Sequence, residues 1–255
     1  MAGEGHFVWH ELGTTDPAAG QAFYAKVVGW EMQDTQMPGM TYTLINAGPA
    51  QVGGITTLAD QAKAMGAPPN WLGYVGVADV DAMAAKVKSL GGQVYFGPMD
   101  IPGVGRFAVT ADPQGAVFAL FKGASDQGPA SGAEKHGHFR WAELASSDPA
   151  KGFEFYQALF GWKKGETHDM GPMGIYQVFE QDGAMIGGMM NRPPGVEACY
   201  WLYYVDVPDI DAATGRAKGA GAEILMGPAQ VPGGEWISQG KDPQGAYFAL
   251  MGHRA

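Results

Sequence analysis

The sequence has few of the features that would place it outside the reducing interior of a cell. It contains a single cysteine, Cys199, so no disulfide can form within the chain. No uninterrupted apolar run reaches the roughly 18 residues that a membrane-spanning helix needs. The N-terminal stretch MAGEGHFVWHEL also lacks the basic and then apolar layout of a signal peptide. We therefore expect a cytoplasmic protein that does not work in a membrane.

Basic residues are also scarce. The chain has 16 lysines and arginines against 26 aspartates and glutamates, a formal net charge of -10. Binding to nucleic acid or to an anionic membrane surface depends on clustered positive charge, which this balance does not favour. The sequence predicts neither nucleic acid nor a membrane as a partner.

What the chain does have is an internal repeat. The stretch GHFVWHELGTTDPAAGQAFYAKVVGWEM, which begins at Gly5, matches GHFRWAELASSDPAKGFEFYQALFGWKK, which begins at Gly137, with 14 identities in 28 positions. Further matches are QVGGI with MIGGM, WLGYVGVADVDA with WLYYVDVPDIDA, and DPQGAVFALF with DPQGAYFALM. The repeat covers nearly all of the 255 residues, a length that suits two domains of about 120. We predict one domain over 1–123, a polar linker over 124–136 and a second domain over 137–255.

Each copy predicts the same order of elements. A strand over Phe7–Gly13 precedes Asp16-Pro17, a typical helix start, and that helix ends at Gly29. Strands are then expected near Tyr42–Ala47 and Val52–Thr57. A second run of strand, helix and three strands occupies 71–121, with DPQG as the turn before the last strand. Each half therefore has two βαβββ units in outline, and the chain has four.

This order, together with FY in the first helix, GW after it, DVD before the next helix and DPxG before the last strand, resembles the vicinal oxygen chelate superfamily. That group includes glyoxalase I, bleomycin-resistance proteins and extradiol dioxygenases. The resemblance implies an α+β fold in which four βαβββ units form two tandem glyoxalase-like half-barrel domains. It also implies a ligand held on the concave face of each sheet, in many relatives by a divalent metal.

The positions at which such relatives hold the metal are occupied by the wrong residue types. Counted from the repeated motifs, three of the four positions hold no side chain that could coordinate an ion, and the second, near Gly54 and Ile55, is not placed. The three are Trp9, Leu72 and Ala119 in the first half and Trp141, Leu202 and Ala249 in the second. We predict no metal and no other cofactor. A one-residue shift of the first strand would instead turn His10 to this face, so a divalent metal near His6, His10 and Glu11 stays an alternative.

Strand alternation places other groups on the same face as the empty metal positions. These predicted ligand-binding residues are Trp9, Glu11, Tyr74, Trp141, Glu143 and Tyr204. Arg106 is added because its counterpart is Trp236, a difference through which the two halves could bind different ligands. Glu11 and Glu143 have a second interpretation, as braces that hold the two halves together. The facing of Tyr42 and Tyr176 is not predicted.

Two functions fit these residues. The first is a binding protein that holds a small organic molecule against aromatic side chains without metal. The second is an enzyme: a glyoxalase, isomerase or dioxygenase with a metal at an atypical site, or with acid–base chemistry through Glu11 or Glu143. No catalytic residue is assigned. The sequence is compatible with a monomer or a homodimer.

Overall fold

The computed structural model describes residues 3–35, 41–124 and 136–254. The elements of the first half are β1 (Phe7–Thr14), α1 (Pro17–Val28), β2 (Glu31–Asp34), β3 (Tyr42–Ala47), β4 (Ala50–Thr57), α2 (Asp60–Ala64), β5 (Asn70–Gly76), α3 (Val80–Ser89), β6 (Gln93–Ile101), β7 (Gly105–Ala111) and β8 (Val117–Gly123). Those of the second half are β9 (Phe139–Ser146), α4 (Pro149–Phe160), β10 (Lys163–Asp169), β11 (Ile175–Gln181), β12 (Ala184–Asn191), β13 (Tyr200–Val207), α5 (Ile210–Gly219), β14 (Glu223–Gln230), β15 (Trp236–Lys241) and β16 (Tyr247–Gly252), with a 3-10 turn at Gly171–Met173 between β10 and β11.

Each half of the sequence supplies one eight-stranded sheet. The strand orders are β2-β3-β4-β1-β5-β8-β7-β6 and β10-β11-β12-β9-β13-β16-β15-β14. In both sheets the pairs β1–β4, β5–β8, β9–β12 and β13–β16 are parallel, and the outer pairs are antiparallel. The order βαβββ occurs four times, which confirms the predicted α+β fold.

Helix boundaries follow the predicted local chemistry. The Asp16 side chain accepts a 3.0 Å hydrogen bond from the backbone N–H of Ala19, Pro17 opens α1, and Gly29 ends it at φ 89°. Asp148 and Gly161 do the same for α4. The strand β2 and the short helix α2 were not among the predicted elements. β2 carries four polar or half-buried residues without the alternation that marks a strand.

The described residues group into two compact units, and each unit takes segments from both halves of the sequence. The first comprises segments of Met1–Trp9, Leu72–Pro129 and Trp141–Leu202, and in it α3 packs against α4. The second comprises segments of His10–Trp71, Ala130–Arg140 and Tyr203–Ala255, and in it α1 packs against α5. The chain boundaries at 123 and 137 stay a prediction, and the predicted linker lies largely outside the described residues.

The repeated FY and DPQG motifs meet inside these units. In the first unit the Tyr156 hydroxyl donates a 3.1 Å hydrogen bond to Oδ2 of Asp112 and accepts one of 3.0 Å from Nε1 of Trp201. Oδ1 of Asp112 accepts from the backbone N–H groups of Gln114 and Ala116, both at 2.9 Å, which closes the DPQG turn. Burial raises the pKa of Asp112, and these hydrogen bonds oppose the shift. A buried carboxylate is thus fully engaged in joining a helix of one half to a turn of the other.

The second unit repeats this arrangement with the halves exchanged. Tyr24 donates to Asp242 at 3.1 Å and accepts from Trp71 at 2.9 Å. The tryptophans that follow α1 and α4 also form hydrogen bonds between the two halves. Nε1 of Trp30 donates to the carbonyl oxygen of Gly137, and Nε1 of Trp162 donates to that of Gly5, both at 2.7 Å. The motifs that define the repeat are therefore the contacts between its two copies.

Candidate functional site

The first strand of each half has one face against a helix and one face turned away from it. In β9, Leu144 and Ser146 are buried and lie beside Gly152 of α4. Trp141 and Glu143 alternate with them and are only half-buried. In β1, Leu12 and Thr14 likewise lie beside Gly20 of α1, whereas Trp9 and Glu11 are half-buried. The alternation agrees with the predicted register, in which the Trp and Glu side chains share the face away from the helices.

In the second half these two side chains join a tyrosine. Nε1 of Trp141 donates a 2.7 Å hydrogen bond to the hydroxyl oxygen of Tyr176, on β11. The Tyr176 hydroxyl in turn donates to the Glu143 carboxylate. Burial raises the pKa of Tyr176 well above its ordinary value, the negative charge of Glu143 raises it further, and only the Trp141 hydrogen bond lowers it. Tyr176 therefore stays protonated at neutral pH and remains a donor to Glu143.

A glycine in the intervening strand makes this contact possible. Gly188 of β12 pairs with Glu143 of β9, and the Tyr176 ring lies directly over it. A Cβ atom at Gly188 would stand 2.0 Å from Cε1 of Tyr176, far inside any real contact. The adjacent Gly187 would place a Cβ atom 2.1 Å from the carbonyl oxygen of Ala142. Gly188 thus lets the Tyr176 side chain of β11 cross β12 and reach β9, while Gly187 leaves room on the other face of the strand, against Ala142 and the Phe179 ring.

The first half repeats the glycine arrangement. Gly54 of β4 pairs with Glu11 of β1, and a Cβ atom there would stand 2.2 Å from the Tyr42 hydroxyl oxygen. The facing of Tyr42 and Tyr176 was not predicted from the sequence. The signal that could have found them is the repeated Gly-Gly pair in QVGGI and MIGGM, since a strand interior has little other reason to carry two glycines.

The two tyrosines of the predicted set, Tyr74 and Tyr204, have different neighbours. Tyr204, on β13, is 2% exposed and its hydroxyl accepts a hydrogen bond from Nε2 of Gln239, on β15. Tyr74, on β5, is 6% exposed and its ring centroid lies 6.3 Å from those of Phe107 and Phe121. The neighbours of this tyrosine thus include a glutamine in the second half and two phenylalanine rings in the first.

Arg106 is held by carboxylates. Its Nε and Nη2 atoms bind both oxygens of Asp81 at 2.6 and 2.8 Å, and its Nη1 binds Asp100 at 2.9 Å. The Arg106 hydrogen bonds lower the pKa of Asp81, which stands in the first turn of α3. The guanidinium is therefore drawn to the helix rather than toward the Trp and Glu side chains.

The counterpart of Arg106 takes part in an equivalent contact. The Arg254 guanidinium stacks on the Trp236 ring at 3.7 Å and binds Asp211, in the first turn of α5, at 2.7 Å. Both halves thus place an arginine on the helix aspartate, from different sequence positions. Arg106 binds its helix aspartate directly, whereas Trp236 stacks on Arg254, which binds the other one. This accounts for the different residues at the two matching positions.

The histidines proposed for an atypical metal site are engaged elsewhere. His10 is 6% exposed, on the helix side of β1, with its ring stacked on Phe139 at 3.8 Å and edge-on to Tyr203 at 4.8 Å. Burial lowers the pKa of His10 to about 3. His6 lies 3.2 Å from the Asp182 carboxylate. The counterpart of His10 in the second half is Ala142, and the counterpart of Tyr203 in the first half is Gly73. The repeat therefore does not reproduce the packing around His10.

The residues do not fit the metal that the resemblance implies. Trp9 and Trp141 stand at the position of the first metal ligand. The other placed ligand positions hold the apolar side chains of Leu72, Ala119, Leu202 and Ala249. Within the residues that the structure describes, no three histidine, cysteine, aspartate or glutamate side chains group so as to hold an ion. That the protein binds no metal nevertheless stays a prediction.

Among the described residues, none of the helices has the length and apolar character that spanning a membrane requires.

Two sheets of paired βαβββ units, with aromatic and acidic side chains on the face away from the helices, define a protein of the glyoxalase type. The sequence model of the Glyoxalase/Bleomycin resistance protein/Dioxygenase superfamily matches residues 5–120 and again residues 137–250. The chain belongs to this superfamily, with two tandem domains of the family.

Similar proteins span nearly the whole chain. A putative glyoxylase, CFP32, of Mycobacterium bovis is 33% identical over 249 residues, covering 95% of this chain and 93% of the relative. The anthracycline biosynthesis protein DauV of a Streptomyces species is 28% identical over 268 residues, covering 95% and 91%. The crystal structure of the Mn(II)-bound glyoxalase from Novosphingobium aromaticivorans superimposes with a TM-score of 0.67, covering 97% of this chain and 82% of that one. At 18% identity this last likeness shows the fold alone.

Proposed function

We propose that this protein binds a small organic molecule on the aromatic-lined face of its sheets, without the metal that many members of the superfamily use. The observation that carries the proposal is the hydrogen-bonded chain from Trp141 through Tyr176 to Glu143. This chain stands on the face turned away from α4, on side chains that are half-buried and so retain contact with solvent.

The direction of the hydrogen bonds indicates the chemistry of the ligand. Nε1 of Trp141 donates to the Tyr176 hydroxyl, and that hydroxyl donates to Glu143, so the chain of donors ends at the carboxylate. A carboxylate donates nothing and has lone pairs for about four hydrogen bonds. The group presented to a ligand is therefore an acceptor with negative charge. It suits a hydroxyl or an amine on an apolar frame and repels a carboxylate.

The relatives support a small-molecule role. One is named a putative glyoxylase and another an anthracycline biosynthesis protein, and both names refer to small organic compounds. Such a ligand would place its apolar frame against the Trp141 and Tyr176 rings and its donor on Glu143. Residence in the cytoplasm and the monomeric or homodimeric state remain predictions.

The test uses three probes of similar size, each a single benzene ring that carries a different polar group: 4-methylphenol, benzylamine and 4-methylbenzoate. We expect ligand-observed NMR at pH 7 to show binding of the first two and none of the third. Glu143→Gln should weaken benzylamine binding at least about tenfold, because the charge-assisted hydrogen bond is lost. Glu154→Gln, on the exposed side of α4, is the matched control and should change nothing.

Two results would overturn the proposal. One is equal binding of 4-methylbenzoate and benzylamine, since a negatively charged acceptor cannot favour both. The other is about one tightly held divalent ion per chain, found by mass spectrometry on protein purified without chelator, together with loss of probe binding when that ion is removed.

A further inference from the structure

A histidine at the start of the second half is held by a buried carboxylate. Nδ1 of His136 lies 2.7 Å from Oδ2 of Asp206, near the end of β13. The Asp206 side chain is 4% exposed, whereas the His136 side chain is 61% exposed. Oδ1 of Asp206 accepts a hydrogen bond from Nη1 of Arg140, in β9. We call these three residues, which all lie in the second compact unit, the His136 cluster.

Backbone hydrogen bonds fix this histidine beside the carboxylate. The N–H of Gly137 donates to the carbonyl oxygen of Asp206 at 2.8 Å, and the N–H of Asp206 donates to the carbonyl oxygen of His138 at 2.9 Å. The carbonyl oxygen of Gly137 accepts a further hydrogen bond, from Nε1 of Trp30 at 2.7 Å. The residues that follow His136 are therefore tied to two other parts of the unit, which orders the imidazole without burying it.

The carboxylate decides which ring nitrogen of His136 carries the hydrogen. An ionised carboxylate only accepts hydrogen bonds, so Nδ1 must donate to Asp206, and Nε2 of the neutral ring then holds the lone pair. Arg140 supplies the positive charge that a buried carboxylate needs beside it, so His136 has only to supply an N–H group. The largely exposed ring thus keeps its basic nitrogen on the side away from Asp206. An aspartate orients the histidine of hydrolytic triads in the same way.

The fold does not require the His136 cluster. The matching residues of the first half are Glu4, Val8 and Gly76. The strand contact is kept there without the cluster, because Gly5 donates to the carbonyl oxygen of Gly76 and Gly76 donates to that of His6, both at 2.9 Å. All three positions of the cluster, which span 70 residues of the chain, differ together between the halves. This indicates a shared role other than folding.

Other histidine–carboxylate pairs among the described residues lack these features. His6 faces Asp182, whose side chain is 75% exposed, so water competes for that carboxylate. Nδ1 of His253 lies 3.7 Å from Glu235, which is beyond hydrogen-bonding distance, and its side chain is 71% exposed. His253 is therefore as open to solvent as His136 but is not oriented by a buried carboxylate.

We propose that Nε2 of His136 is a nucleophile that takes an acyl group from small, uncharged aryl esters and transfers it to water. In the first step the Nε2 lone pair forms a bond to the acyl carbon, and the ester C–O bond breaks with its electron pair on the departing phenolate. In the second step a water oxygen bonds to the acyl carbon and the Nε2–carbon electron pair returns to the ring. The carboxylate product and two protons pass to solvent. This activity goes beyond the proposed binding function and does not depend on it.

The surrounding charges favour a neutral acyl donor. Asp206 and Glu235 carry two negative charges, and Arg140, which lies 2.5 Å from the first and 3.6 Å from the second, carries one positive charge. The excess of negative charge disfavours an anionic donor such as an acyl phosphate. Asp206 also balances the positive charge that develops on the ring when Nε2 bonds to the acyl carbon.

The experiment measures the release of 4-nitrophenolate from 4-nitrophenyl acetate by the full chain at pH 7. We expect His136→Gln to lower the protein-dependent rate about tenfold. His253→Gln is the matched control and should change the rate less than about twofold. Asp206→Asn should lower the rate as His136→Gln does, because an amide N–H facing Nδ1 moves the ring hydrogen to Nε2 and removes the nucleophilic lone pair.

A second measurement uses the natural protein, since Asp206→Asn leaves Arg140 without its carboxylate and could unfold the chain. Limiting diethyl pyrocarbonate, followed by peptide mass spectrometry, should acylate His136 at least about fivefold faster than His253. Equal rates of acylation, or equal rates of ester hydrolysis in His136→Gln and His253→Gln, would overturn the proposal. An unchanged rate of hydrolysis in folded Asp206→Asn would overturn it as well.

Discussion

The hydroxyl of Tyr156, in the FY motif of the second half, donates a 3.1 Å hydrogen bond to Asp112, in the DPQG turn of the first half. Tyr24 and Asp242 form the same pair with the halves exchanged. Both tyrosines are buried, and each also accepts a hydrogen bond from a tryptophan. The most regular features of the repeat are thus the points at which one copy supports the other.

Removing one hydroxyl of this pair should destabilise the protein. Tyr156→Phe leaves Oδ2 of Asp112 without its phenol donor and Nε1 of Trp201 without its acceptor, both in a buried setting. The expected loss in the free energy of unfolding is about 1–3 kcal/mol. Urea denaturation measures it, with Gln157→Ala, exposed on the same helix, as the control. Equal midpoints for the two variants would contradict a role for the hydroxyl.

The buried imidazole of His10 should make the protein's stability depend on pH. Burial lowers the folded-state pKa of His10 to about 3, whereas an unfolded histidine has a pKa of 6.5. Between these values the unfolded chain binds the additional proton, so stability is intact above pH 6.5 and is lost as the pH falls below it. The loss amounts to about 2 kcal/mol at pH 5.

His10→Phe isolates this effect, because phenylalanine retains a ring against Phe139 and Tyr203 but has no titrating group. We expect the difference in unfolding free energy between the variant and the natural protein to move by about 2 kcal/mol between pH 7 and pH 5, in favour of the variant. Chemical denaturation at both values provides the measurement. Parallel pH profiles would show that His10 binds its proton equally in the folded and the unfolded protein, and would contradict the prediction.

Gly188 should tolerate no side chain while Tyr176 lies over it. A methyl group there would stand 2.0 Å from the Tyr176 ring, so Gly188→Ala must displace the ring and break its hydrogen bonds to Trp141 and Glu143. We expect a loss of about 1–3 kcal/mol in stability and a changed near-ultraviolet circular dichroism spectrum.

Gly215→Ala is the matched control for this substitution. Gly215 lies inside α5, where an added Cβ atom would meet nothing within 4 Å. Alanine there should stabilise the helix by about 0.5–1 kcal/mol. If both variants were equally stable, the close packing of Tyr176 on β12 would be wrong.

Divalent metals should have little effect on this protein, because tryptophan, leucine and alanine stand at the placed ligand positions. Addition of Mn, Zn, Fe(II), Ni or Mg is expected to leave the melting temperature unchanged within error, as is prior treatment with a chelator. A melting temperature that rises with one of these ions and saturates at about one ion per chain would revive the metal-dependent alternative.

Much of the architecture follows from the sequence because local chemistry repeats. Asp16-Pro17 starts a helix, Gly29 ends it, and the alternation in FVWHELG places Trp9 and Glu11 on one face, since each of these signals acts over a few residues. The same local signals, found twice at a fixed offset, predicted four βαβββ units. β2 was missed because its side chains are mostly exposed and do not alternate.

Tertiary structure decided which side chains meet. The ring of Tyr176 reaches Trp141 only because Gly188, in a strand between them, has no side chain. The Gly-Gly pair indicates a close approach to that strand, but it does not identify the residue that crosses it. Arg106 appeared from its sequence to be available for a ligand, yet Asp81, 25 residues away, holds it in a fork of two hydrogen bonds. Periodicity determines the face on which a residue lies, whereas its partners depend on strands and helices brought together from distant parts of the chain.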